Sequence, residues 1–191
     1  MASMNAFPSD PAGDLAAAEL ASRRLTGALK LPSWFHTSLG AAVAVHLGTA
    51  AYGLGELNED GEPGGTAVAV LVAGCLVFAA VAAVQVLRFR RLNGVQVGGL
   101  VSRAVLGTSI WSSLAEAGGL AAAFGAVLAD LPWLAALAAV AGGAAYAASG
   151  HLWWRGYLAD PAGHARAESR TTLVAYGVVG VVALVLLVAL R

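Results

Sequence analysis

The chain has 191 residues, of which 59% are hydrophobic and only 12% charged, against roughly 45–50% apolar and about 25% charged in ordinary soluble domains. Its 11 basic and 11 acidic residues cancel to a formal charge of zero, so no net field draws it to nucleic acid. A soluble fold of this size could not hide so much apolar surface behind so few charges, and a mean hydropathy of +0.75 points the same way: the sequence belongs in lipid.

Residues 1–32 read as a cytoplasmic tail. Asp10, Asp14 and Glu19 mix with Arg23, Arg24 and Lys30, and no apolar core precedes Trp34, so a cleavable signal peptide is not expected. Asp14 to Lys30 is rich in good helix formers. Two states are open for it: an interfacial amphipathic helix with Leu15, Leu20, Leu25 and Leu29 on one apolar face, or a frayed tail.

A spanning helix needs about 20 mostly apolar residues. Five stretches meet this in residues 33–191: about 34–55, 66–87, 104–128, 131–154 and 171–190. The expected fold is therefore all-α, a polytopic membrane bundle of five transmembrane helices.

The connections are short. Glu56 to Gly65 (ELNEDGEPGG) is acidic and without Lys or Arg, and its spacing does not match a calcium-binding loop. Arg88 to Arg103 and Arg155 to Arg170 are basic, and Asp130 with Pro132 marks a tight hairpin. Cytoplasmic connections favour Lys and Arg. With five spans, Arg23, Arg24, Lys30, Arg88, Arg90, Arg91, Arg103, Arg155, Arg166 and Arg170 fall on one side and Arg191 alone on the other. The N-terminus is expected in the cytoplasm and the C-terminus outside, in the plasma membrane. Arg88, Arg90 and Arg91 are placed to meet anionic lipid headgroups.

Within the third stretch stands Glu116, about 18 Å from the cytoplasmic edge if the span starts at residue 104. A charged side chain at that depth costs about 2.5–3.5 kcal/mol on insertion scales, so it is expected to face the bundle interior. Ser109, Ser112, Ser113 and Glu116 follow at i, i+3, i+4 and i+7, one polar stripe. His46, with Thr49 one turn on, sits at a similar depth in the first span. The six residues form a candidate midplane polar site with two readings: a proton-linked Glu–His pair, or a hydrogen-bonded patch that fixes packing. His36 and His151 both lie near the cytoplasmic boundary and could in principle ligate haem or a metal, but no supporting spacing accompanies them. Neither a cofactor nor a metal is expected.

Catalytic signatures are missing. The sequence has no Walker loop, no HExxH helix, no GxSxG elbow and no CxxC pair. Cys75 alone excludes an internal disulfide framework. An enzyme is not expected. The first functional reading is a non-enzymatic accessory or regulatory membrane component whose partners are the bilayer and other membrane proteins or further copies of itself. The second is a small proton-linked transporter using Glu116 and His46. The third is an electron carrier through His36 and His151.

The stretches LPSWFHTSLGAAVAVHLGTAAYG, RFRRLNGV and HLWWRGY resemble small, uncharacterised integral membrane proteins of actinobacteria, and the preference for Arg over Lys fits that group. The resemblance implies a plasma-membrane location and no particular activity.

Overall fold

The computed structural model describes residues 11–60, 65–94 and 109–161, and all of its regular structure is helical. The helices are α1 (Pro11–Ala28), α2 (Phe35–Asp60), α3 (Gly65–Asn93), α4 (Ile110–Leu128) and α5 (Pro132–Ala159). The stretch 171–190, expected as the last span, lies outside the described residues, as do Arg103, Arg166, Arg170 and Arg191.

Three helices, α3, α4 and α5, are long and apolar enough to cross a membrane. Helix α2 falls short of that standard, because His36, Thr37, Ser38, His46, Thr49 and Tyr52 dilute its apolar residues. Its place in the bundle explains how it tolerates them. Helix α2 packs against α3, α4 and α5 at once, and α4 and α5 also pack on each other. The least apolar of the four bundle helices is therefore the one that touches all three others, an arrangement that draws His36, Ser38, His46 and Thr49 partly inside.

Phe35, Leu39, Val43 and Leu47 form a buried row on α2, spaced by four residues so that they share one face. They meet Ala139, Tyr146, Trp153 and Trp154 of α5, and Phe89 of α3 closes the cluster by an edge contact with Trp154 at 6.4 Å between ring centres. The outer faces are apolar as well: Val72, Leu76 and Val84 on α3, and Leu137, Val140 and Leu152 on α5, are exposed. Only 11%, 17% and 33% of the most apolar stretches of α3, α4 and α5 are buried inside the bundle.

Glycine sets the spacing at the helix contacts. Between α2 and α3, a Cβ on Gly74 would collide with the Thr49 hydroxyl, and one on Gly53 would lie 3.0 Å from the Ala67 carbonyl oxygen. A Cβ added to Gly40 would lie 2.5 Å from the Gly143 carbonyl oxygen, and one added to Gly119 would lie 3.0 Å from Gly142 Cα. Neither position has room for a side chain. In lipid, where apolar burial gives little drive for helix association, such close backbone approach supplies the packing energy.

Helix ends differ from the hydropathy boundaries. Helix α2 runs on to Asp60, with no Gly or Pro between Gly55 and Gly61, so half of the expected acidic loop is helical. Helix α3 continues to Asn93, where Gly94 at φ 63° closes it with its N–H donating to the Arg90 carbonyl. Arg88, Arg90 and Arg91 thus ride on the last turns of a helix, and the cations complement its negative end. The hairpin between α4 and α5 turns through Asp130 at φ 55°, with Pro132 in the first turn of α5.

The tail forms a helix, but its leucines do not share a face. Steps of five residues from Leu15 to Leu20 to Leu25 rotate by about 140° each at 3.6 residues per turn, and all three side chains are exposed. Leu29 lies beyond the end of α1 and packs against the core instead.

Candidate functional site

Ser109 is not inside a helix. It is the N-cap of α4, with extended backbone and a side-chain oxygen accepting from the Ser112 N–H at 3.1 Å. Glu116 is consequently the seventh residue of α4, about 9 Å along its axis from Ile110, rather than the twelfth residue of a longer span. Levels still correspond, since Gly119, one turn beyond Glu116, packs against Leu47, the neighbour of His46.

Faces separate the two residues. His46 turns to α3, where its Nδ1 lies 3.8 Å from Cys75 Sγ and its ring 6.1 Å from that of Phe78. Glu116 turns to α5, where its half-buried carboxyl is in electrostatic range of the buried Tyr146 phenol. No hydrogen bond joins Glu116 to His46. Thr49 is taken up locally, its hydroxyl shared between the carbonyls of Val45 at 2.9 Å and His46 at 3.0 Å, while Ser113 is half-buried.

Two of the stripe serines make a different contact. Ser112 Oγ lies 2.7 Å from Ser149 Oγ on α5 and 3.2 Å from Ser109 Oγ. Ser149 donates to the Tyr146 carbonyl at 2.9 Å. Each hydroxyl has one proton, so the directions follow. With the Ser149 proton on a carbonyl, Ser112 must donate to Ser149, and Ser109 must donate to Ser112. The chain is closed: it ends on a backbone carbonyl that has no proton to pass on. It ties α4 to α5, and a relay through it would need every hydroxyl to reverse against that bond.

Gln85, which hydropathy conceals among valines, is a polar residue that sequence reasoning missed. It is buried, and its Nε2 donates to Ser38 Oγ at 2.5 Å, joining α3 to α2. Ser38 in turn donates to the Phe35 carbonyl at 3.0 Å. The signal was present as the one amide in an apolar run, AAVQVL, and it was masked because a neutral side chain does not disturb charge counting.

The histidines near the expected cytoplasmic boundary do meet. His36 on α2 and His151 on α5 stand with ring centres 5.9 Å apart and planes at 83°. Among the described residues no group of three or more His, Cys, Asp or Glu side chains could hold a metal ion.

At the same end, the segment between α1 and α2 is fastened to α3. The Lys30 N–H donates to Asn93 Oδ1 at 2.8 Å, Asn93 Nδ2 donates back to the Lys30 carbonyl at 2.9 Å, and Arg88 donates to Ser33 Oγ at 3.3 Å. Trp34 is held at φ 63°, a left-handed backbone unfavourable for a bulky residue, with its indole 76% exposed. Arg88, Arg90 and Arg91 are all exposed beside this segment.

No known protein family, curated protein or solved structure matches the chain. The functional reading rests on the residues themselves.

Proposed function

We propose that the chain is a five-span plasma-membrane protein, N-terminus in the cytoplasm and C-terminus outside, that acts as a non-enzymatic accessory or regulatory component. The serine chain carries this reading: Ser109, Ser112 and Ser149, three of the polar side chains within the bundle, are engaged in holding α4 against α5. Outward faces of Val, Leu and Ala on α3 and α5 suit lipid or the helices of other membrane proteins. The exposed Arg88, Arg90 and Arg91, with Trp34 beside them, suit an anionic headgroup layer.

A second reading, a proton-linked pathway, keeps one supporting observation, the half-buried Glu116 beside Tyr146. It no longer has His46 as the partner of Glu116. One experiment decides between the two: proton flux across a pH gradient in proteoliposomes, wild type against Glu116→Gln. Flux no greater than in empty liposomes is the expected result. Flux in the wild type that the variant loses would put the transporter reading first. The topology has its own test, in which a C-terminal alkaline phosphatase fusion is active and a C-terminal green fluorescent protein fusion is dark. A bright fluorescent fusion would rule out five spans with the N-terminus inside.

A further inference from the structure

The meeting of His36 and His151 is not a consequence of the serine chain, the glycine contacts or the basic end, and it leaves an unexplained atom. His36 Nε2 is buried and has no hydrogen-bond partner. An unpartnered buried ring nitrogen is costly, and nearly all such groups in folded proteins find a partner. Its neighbours are aromatic rings: Phe35 at 5.1 Å on one side and His151 at 5.9 Å on the other. No hydrogen bond links the two imidazoles.

We infer that His36 and His151 form a two-histidine site for a divalent first-row transition metal ion, bridging α2 and α5. Imidazole suits ions of this class, and the series orders Cu2+ as the tightest. The spacing agrees. A metal–nitrogen bond of about 2.0–2.1 Å puts each ring centre about 3.2 Å from the ion, so two rings on one ion have centres about 5 to 6.5 Å apart, from tetrahedral to linear. The observed 5.9 Å lies inside that range. Perpendicular planes are no obstacle, because each ring is free to turn about its own metal–nitrogen bond.

Access comes from His151. It is exposed, on a helix face open to the surroundings, whereas His36 is half-buried. An ion arriving from outside therefore meets His151 first. Since no third His, Cys, Asp or Glu joins the pair among the described residues, the remaining positions fall to water or to an external ligand. The site is therefore an open one, and the ion exchanges. Its consequence for the fold is a clasp: the ion adds a link between α2 and α5 a few residues from the Gly40–Gly143 contact.

The test is Cu2+ binding to the full-length chain, purified in detergent with no histidine tag, followed by electron paramagnetic resonance and by competition with glycine as a weak chelator. The expected result is one Cu2+ per chain with hyperfine splitting from two imidazole nitrogens. His36→Gln and His151→Gln should each weaken binding by about tenfold or more, and His46→Gln should leave it unchanged. Because His151 is exposed, its replacement leaves the packing intact, and unchanged helical circular dichroism verifies that. Wild type that binds no more Cu2+ than the His36→Gln/His151→Gln double variant would overturn the site. So would a folded His151→Gln variant with wild-type affinity, or loss of binding in His46→Gln.

Discussion

The two flanks of α2 are built by different rules. Toward α4 and α5, glycine meets glycine, backbones approach until no Cβ fits, and the serine hydroxyls between α4 and α5 form a continuous chain. Toward α3, glycine again admits close approach, Gly53 at the Ala67 carbonyl and Gly74 at Thr49, but polar side chains meet there too: Gln85 on Ser38 and His46 beside Cys75 and Phe78, with Gln85 Oε1 buried and without a partner. Neither flank has room to adjust where glycine admits the neighbouring helix. What separates them is hydrogen bonding: the serine chain is complete, whereas Gln85 Oε1 toward α3 is unsatisfied.

The largest effect should come from filling a glycine contact. Gly143→Leu must push α5 off α2, since even a single Cβ there would collide with the Gly40 carbonyl. Overpacking of this kind costs about 3 kcal/mol when backbone cannot yield, and in helical circular dichroism with increasing SDS the variant should unfold at markedly lower detergent fraction. A wild-type transition would mean that the glycines are not what sets the spacing. Next in size is Ser112→Ala. It leaves Ser149 and Ser109 without their shared partner and should cost about 1 kcal/mol, near the upper part of what interhelical bonds in membranes are worth. A double-mutant cycle with Ser149→Ala checks it. The coupling should approach the single-variant loss, and additive losses would show that the 2.7 Å contact carries no energy.

Much of this contrast was legible in the sequence, and the reasons the rest was not are specific. Apolar length alone marks α3, α4 and α5, and Asp130 with Pro132 marks the hairpin between the last two, because breakers and hydropathy are local properties. Gly119 and Gly142 also announce close contacts, though not with which helix. Face direction is not local. Glu116 and His46 stand at similar levels, yet a helix turns by about 100° per residue, so placing them on a common face needs the rotation of each helix about its own axis. Ser109 misled for another reason. Both a stripe member and an N-cap are expected to be serine, and its position just ahead of Ile110 fits the cap equally well. Helix ends were read short for α3 and α5 because hydropathy measures compatibility with lipid, whereas the helix itself continues through Arg88 to Asn93 and Arg155 to Ala159.

The smallest expected loss is also the one that most sharply separates the flanks. Gln85→Leu on the α3 side removes the Nε2 bond to Ser38, but it also removes a buried acceptor that has no partner. Losing one net hydrogen bond costs about 1 kcal/mol, and deleting an unsatisfied buried group returns about 1–3 kcal/mol. Ser38 keeps its own donation to the Phe35 carbonyl, so no new orphan donor is created. The sum should lie between no change and a gain of about 2 kcal/mol, read as an equal or higher SDS midpoint. The same logic reverses for Ser38→Ala, which strands the Gln85 amide and should lower the midpoint. If Gln85→Leu instead destabilises as much as Ser112→Ala, then the amide is satisfied in the membrane after all. Both flanks would then be built on complete hydrogen bonding.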